Sequence, residues 1–318
     1  MLELRGAFSD NPRLQPLVDG TVTARDIQIT WEKIDPGTAF LHHLQQNDFD
    51  VFEFSISNYM MVSQLQGRGW DWTAIPVFLS KAMPIISSVV GERSGIEGPE
   101  DLGGRSFGMG EFSMTAGLWL RAMIDSLYGI RPQDVRWYAE DERDAILEFR
   151  GRQPKDISIT WLDRPGAVME MVRAGELDAA FAAGRRGGAP PGVKPLFADG
   201  GRSFFEAYYG KTGLTPVNHT VVVQRRVLDE NPWAGQALFE VLERAKQEAY
   251  RRDGSARAIF AGSDLNWQVS VFGADPYPTG LAANRTMLAA AADQSNKEGL
   301  TRQPVNPNEL FHESVRGT

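Results

Sequence analysis

Short apolar runs of strand length, several of them apolar on both faces, alternate along the chain with longer segments in which apolar residues recur every three to four positions. That alternation predicts an α/β protein with mixed, mostly parallel sheets. Strands are expected at Leu2–Phe8, Ile27–Lys33, Phe49–Ile56, Thr73–Leu79, Ile85–Val90, Arg105–Met109, Val135–Tyr138, Leu177–Ala182 and Thr220–Gln224. A helix over Thr115–Tyr128 places Leu120, Met123, Ile124 and Leu127 on one face and stops at Gly129. Another opens at Asn231-Pro232, a cap followed by proline at the first helical position, and carries Leu238, Val241, Leu242 and Ala245 at the same spacing. A shorter one is expected over Arg164–Gly175.

No Gly/Pro-rich linker cuts the chain in two; the richest such stretch, Gly184 to Pro195, has loop length. Yet 318 residues exceed one ordinary core. The two facts together predict two lobes between which the chain crosses more than once. The expectation is one discontinuous lobe from residues 1–88 plus 222–318 and a second from 89–221. Val89-Val90-Gly91 and His219 to Gln224 would be the crossovers, forming a two-strand hinge with a binding cleft between the lobes.

Composition narrows the chemistry. The 33 Lys and Arg against 41 Asp and Glu give a net charge of −8, which argues against a nucleic acid partner. Cysteine is absent, so disulfides, thiolate nucleophiles and Cys-ligated metals are excluded. No run approaches the roughly 18 apolar residues of a membrane span. The start of the chain lacks a basic, apolar signal-like segment, and the expectation is a cytoplasmic protein without a membrane partner. The four histidines, His42, His43, His219 and His312, fall in no metal-binding spacing, so no metal is expected. Adjacent His42 and His43 read as surface or boundary packing, and Asp141, Glu142 and Asp144 as a solvated helix start.

Three segments could carry a site. Phe49 to Tyr59 reads as a buried strand ending in Glu53, Ser55, Ser57 and Asn58 before a helix; a structural ion pair for Glu53 and capping by Ser57 are the alternatives. Gly108 to Thr115 reads as a strand feeding a helix whose first turn offers Ser113, Thr115 and free N–H groups to an anion, or simply Ser113 as cap. Tyr208 to Thr220 delivers His219 to the start of an apolar strand, where it could serve as a general acid near neutral pH or as a structural histidine.

In order along the chain, Phe49 to Tyr59, Ala74-Ile-Pro-Val-Phe78, Gly95-Ile with Pro99-Glu-Asp-Leu-Gly103, Glu111-Phe-Ser-Met-Thr115 with Trp119, Gly175-Glu-Leu-Asp178, Tyr208-Tyr-Gly-Lys-Thr-Gly213, Pro216 to Val222, Asn231-Pro-Trp233 and Glu298-Gly-Leu300 resemble the 4,5-dihydroxyphthalate decarboxylase family. The resemblance covers nearly the whole chain and rests on the ordered set. It implies a two-lobed fold like that of type II periplasmic solute-binding proteins, and non-oxidative, cofactor-independent loss of carbon dioxide from a hydroxylated aromatic acid. Such a site must supply a seat for carboxylate, an acid aimed at ring carbon and a partner for the phenol oxygen. His219 is the expected acid or phenol partner and Glu53 the expected base. Ser113 and Thr115 would seat the carboxylate, with Lys81 and Arg185 completing its charge; Ser57, Asn58, Glu111 and Asn218 would bind substrate.

The chain also departs from the family pattern. Pro84-Ile85 stands where the pattern has Arg-His, Thr279 where it has Tyr, and Asn218 where it has Met. Losing a cation there points to a monoacid substrate or to a lost activity. The alternative function is a solute-binding protein that delivers a small aromatic or other organic anion to a transporter; self-association is left open.

Overall fold

The computed structural model describes residues 1–65, 69–81, 83–140, 156–182, 189–259 and 264–318. Its strands, in chain order, are β1 (Leu2–Phe8), β2 (Ile27–Lys33), β3 (Val51–Ser55), β4 (Trp72–Lys81), β5 (Ser88–Gly91), β6 (Ser106–Met109), β7 (Arg136–Glu140), β8 (Ile159–Leu162), β9 (Ala179–Phe181), β10 (Val193–Pro195) and β11 (Val217–Gln224). They form two mixed sheets, β2-β1-β3-β11-β4 and β10-β5-β9-β6-β7-β8. Contacts divide the chain into one unit of Met1–Lys81, Val217–Ala292 and Gln303–Thr318 and another of Ala82–Pro216 and Asp293–Arg302. Val89–Gly91 belongs to a strand of the second unit and His219–Gln224 to a strand of the first.

In the first unit β1 pairs in parallel with β2 and β3, while β11 runs antiparallel between β3 and β4. Every residue of β3 and β11 is buried, as expected of strands covered on both faces. The Pro232–Arg252 helix packs Leu238, Val241, Leu242 and Ala245 against Val51, Ile75, Val77, Val221 and Val223. Asn231 stands at its N-cap position without a capping bond; its amide donates instead to the Val227 carbonyl. Because side chains alternate along β3, Phe52 and Phe54 face the other way, into an aromatic layer with Trp72 and His43.

In the second unit β6, β7 and β8 are parallel and β9 pairs in parallel with β6. The Thr115–Tyr128 helix ends at Gly129, whose φ of 69° supplies the left-handed turn that closes it. Gly108 in β6 lets the Ala167–Ala174 helix approach the sheet, since a Cβ there would lie 2.6 Å from a methyl of Val168 and 3.0 Å from one of Leu177. The single strand expected over Ile85–Val90 is instead a 3-10 turn, Met83–Ser87, followed by β5. Pro84, without an N–H to donate, cannot continue a paired strand.

Candidate active site

Glu53 and His219 meet where β3 and β11 lie side by side. The antiparallel register sets Val221 opposite Glu53 and His219 opposite Ser55, so the two side chains approach diagonally at the end of the sheet. His219 Nδ1 lies 2.6 Å from Glu53 Oε1. The other carboxylate oxygen accepts two bonds from Ser9, from its N–H at 3.0 Å and its hydroxyl at 2.5 Å. Ser9 follows β1 directly, and β1 pairs with β3, so three adjacent strands assemble the cluster. Burial alone would push the Glu53 carboxyl up; the bonds and charge from His219 and the bonds from Ser9 outweigh it and hold the group below the ordinary value.

The remaining imidazole nitrogen, Nε2, accepts from the Asn218 amide at 3.0 Å. With that donor in place the neutral ring carries its proton on Nδ1, where Glu53 accepts it. Phe40 stands edge-on to the ring at 4.9 Å between centroids. The arrangement is a carboxylate–imidazole pair in which Nε2 is the nitrogen that Glu53 leaves available for exchange.

Lys81, the last residue of β4, lies opposite Val217 and is buried in the same unit. Burial, then the positive charges of Arg13 and Lys246, lower its pKa to about 7 against the opposing pull of Asp275. The strand is irregular just before it. His219 pairs with Ser80 but Val221 with Ile75, so residues 76–79 bulge out of the ladder. Pro76 lies at its start and cannot donate to a ladder. Carbonyls in and beside the bulge find side-chain partners: the Thr220 hydroxyl is shared between Ile75, at its edge, and Val77, and Asn11 and Arg13 donate to Leu79 at 2.8 and 2.6 Å.

Sequence reasoning missed Ser9, Asn11 and Arg13. The available signal was Ser9-Asp10-Asn11-Pro12 directly after a strand: Asn11 caps the Pro12–Leu14 turn by accepting from Arg13 N–H at 3.1 Å.

Ser57 and Asn58 are buried in the first turn of the Ile56–Val62 helix. Its cap is Ser55, which accepts the Asn58 N–H at 3.3 Å, so the alternative reading of Ser57 as the cap does not hold. In the second unit Ser113 donates to Glu111 Oε1 at 2.7 Å, and the N-cap position of the following helix is Met114, not Ser113. Thr115 is the first helical residue, buried like Ser113. The Phe112 carbonyl between these residues accepts from Arg121 at 3.1 Å. Thus the first unit brings together Glu53, His219 and Asn218 and also holds Lys81, Ser57 and Asn58, while the second holds Glu111, Ser113 and Thr115. Arg185, Asp141, Glu142 and Asp144 lie outside the described residues.

His42 is half exposed and bonds Asp48 at 2.8 Å. His43, expected in surface or boundary packing, is instead fully buried and stacks on Phe52 at 4.0 Å. Burial, with the neighbouring His42 charge, drives its pKa down to about 3. Among the described residues no group of three His, Asp or Glu side chains could hold a metal ion, and no helix is long and apolar enough to cross a membrane.

No family model matches the chain. It is 29% identical over 325 residues to the 4,5-dihydroxyphthalate decarboxylase of Comamonas testosteroni, covering 98% of this chain and 96% of that protein. A protein of the same name from Pseudomonas putida is 29% identical over 182 residues, covering 57% of this chain and 70% of its own. The resemblance carried by the ordered motifs therefore extends along the chain. Among solved structures, the periplasmic aliphatic sulphonate binding protein of Escherichia coli superposes with a TM-score of 0.57 at 16% identity over 100% of both chains. The ligand-binding component of an ABC-type import system from Staphylococcus aureus gives 0.56 at 9% identity, covering 100% of this chain and 98% of its own. The fold is that of the periplasmic binding proteins.

Proposed function

We propose that this protein is a cytoplasmic decarboxylase of a hydroxylated aromatic carboxylic acid of the 4,5-dihydroxyphthalate type, acting without a cofactor. The observation that carries the proposal is the Glu53–His219 pair. Both Glu53 oxygens are engaged, one by His219 and one by Ser9. The carboxylate therefore orients the imidazole and stabilises its protonated form, and His219 takes both proton-transfer roles through Nε2. This changes the part expected of Glu53, from base to positioning group.

In the proposed reaction Asn218 yields its contact with Nε2 to the substrate hydroxyl. His219 accepts the hydroxyl proton and the oxygen lone pair becomes a carbonyl, while the ring carbon that bears the carboxylate takes a proton from the imidazolium. The bond to the carboxylate then breaks, its electron pair returns to the ring, carbon dioxide departs, and the phenolate takes a proton from water. One proton is consumed for each carbon dioxide released. The ring oxygen serves as electron sink, so the reaction asks for no metal.

The names of the sequence relatives support this reading. The names of the structural neighbours favour a second one, a solute-binding protein that delivers a small organic anion to a transporter. Carbon dioxide release from a panel of hydroxybenzoates and hydroxyphthalates tests the first. Submillimolar binding of a panel member with no release from any of them would transfer the assignment to the second.

A further inference from the structure

We infer that Ser314 is an activated serine, a site that takes the acyl group of a small uncharged ester. The site lies in the first unit, shares no residue with the Glu53–His219 pair and is independent of the decarboxylase reading.

Ser314, His312 and Asp229 form the group. Ser314 Oγ lies 2.8 Å from His312 Nδ1, and the Ser314 N–H donates to the same nitrogen at 3.3 Å. Because Nδ1 accepts from that N–H, the neutral ring carries its proton on Nε2. Nε2 in turn faces Asp229 Oδ1 at 3.4 Å, from the Arg225–Glu230 helix. A hydroxyl against the unprotonated ring nitrogen and a carboxylate against the protonated one make a serine nucleophilic. The two nitrogens trade the places they hold in serine proteases, but the roles follow from geometry.

The base is held to the sheet: His312 is buried, and its backbone N–H donates to the Ala74 carbonyl of β4 at 3.1 Å. Gly235, near the start of the Pro232–Arg252 helix, leaves room for the hydroxyl, since a Cβ there would collide with Ser314 Oγ. A cavity of about 500 Å³ is lined by Ser314 together with Phe239, Thr279, Gly280 and Gly317. Among the described residues no Lys, Arg, Asp or Glu side chain lines it. An acyl group without charge therefore enters at no cost in unpaired charge, and the Phe239 ring gives it an apolar wall.

In the acylation step Oγ attacks the ester carbonyl carbon as its proton passes to His312 Nδ1, and Asp229 stabilises the imidazolium. The carbonyl then re-forms, the bond to the alkoxy oxygen breaks, and the departing alcohol takes the proton from Nδ1. The products are acyl-Ser314 and the free alcohol. Nothing is oxidised or reduced, and the ester is the sole co-reactant.

The test is to mix the full chain with p-nitrophenyl acetate, quench in acid and locate the acetyl group by peptide mass mapping, with nitrophenolate release followed in parallel. Acetylation of Ser314 is expected ahead of any on lysine. Ser314→Ala should abolish it, and His312→Gln should slow it by roughly 10² or more. Asp229→Asn should slow it by up to about fivefold, because that carboxylate is more than half exposed. A second variant decides the matter if His312→Gln does not fold. The chain has no cysteine, so Ser314→Cys introduces a single thiol. Paired with the imidazole, that thiol should react with iodoacetamide at least about tenfold faster in the folded protein than in guanidinium at the same pH. A thiol merely packed in the turn would react more slowly folded than unfolded. Acetylation confined to lysines, nitrophenolate release unchanged in Ser314→Ala, or an introduced thiol slowed by folding would each overturn the inference.

Discussion

Arg121 and Glu298 lie 177 positions apart in the chain and form a doubly bonded ion pair inside the second unit, Nε to Oε1 at 2.9 Å and the terminal nitrogen to Oε2 at 2.7 Å. Their side chains are 0% and 1% exposed. The pair is fully satisfied: Gln294 donates to Glu298 at 2.7 Å, and the guanidinium also holds the Phe112 carbonyl and lies over the Phe112 ring at 4.0 Å. It therefore ties the returning 293–302 segment to the turn that bears Glu111 and Ser113.

Breaking this pair on one side leaves a buried charge alone. Arg121→Met is expected to cost about 3–5 kcal/mol in urea unfolding, and Arg121→Met with Glu298→Leu to recover much of it. A single variant within about 1 kcal/mol of wild type would show that the pair is not holding the segment.

For the proposed reaction, His219→Asn should lower turnover by roughly 10² to 10⁴ with little change in melting temperature, the range usual for removing a general acid or base. Glu53→Gln should lower kcat more than it changes KM, because the carboxylate acts through the imidazole. Steady-state carbon dioxide release with thermal melts measures both. Wild-type turnover in His219→Asn would remove the ring from the mechanism.

His43 makes a pH prediction. It is neutral in the folded protein with a pKa near 3 and takes up a proton in the unfolded chain near 6.5. Its contribution is therefore complete above about pH 6.5 and is lost as pH falls toward 3, by up to about 1.4 kcal/mol per pH unit. Both ring nitrogens are buried without partners among the described residues, so His43→Leu discards no hydrogen bond seen there. The variant should match or exceed wild type at pH 7.5 and gain on it steadily toward pH 4.5 in denaturant titrations. Parallel stability curves over that range would contradict the buried neutral state.

Gly108→Ala places a methyl against Val168 and Leu177. An expected cost of about 1–3 kcal/mol follows from overpacking, and Val168→Ala in the same chain should relieve part of it. Additive effects of the two changes, measured by unfolding, would mean that the helix is not pressed against β6 at this point.

Much of the fold was legible from local pattern. The apolar runs at Leu2–Phe8 and Ile27–Lys33 became strands at those bounds, and Gly129 and Pro232 mark helix ends because a left-handed residue and a missing N–H act within one turn of chain. Of the candidate site, Glu53 and His219 were each visible as polar residues at the edge of apolar strands. Tertiary structure decided that they face one another, that Ser9 takes the second carboxylate oxygen, and that Arg13 is buried beside Tyr277. Arg121 shows the same division: on a helix otherwise lined with apolar residues it could stand at a solvated edge, and only Glu298 makes its burial stable. The physical reason is range. Periodicity and capping report which side of an element avoids water, over a few residues; the pairing of buried charges depends on partners that only the closed sheet and the returning chain bring within hydrogen-bond distance.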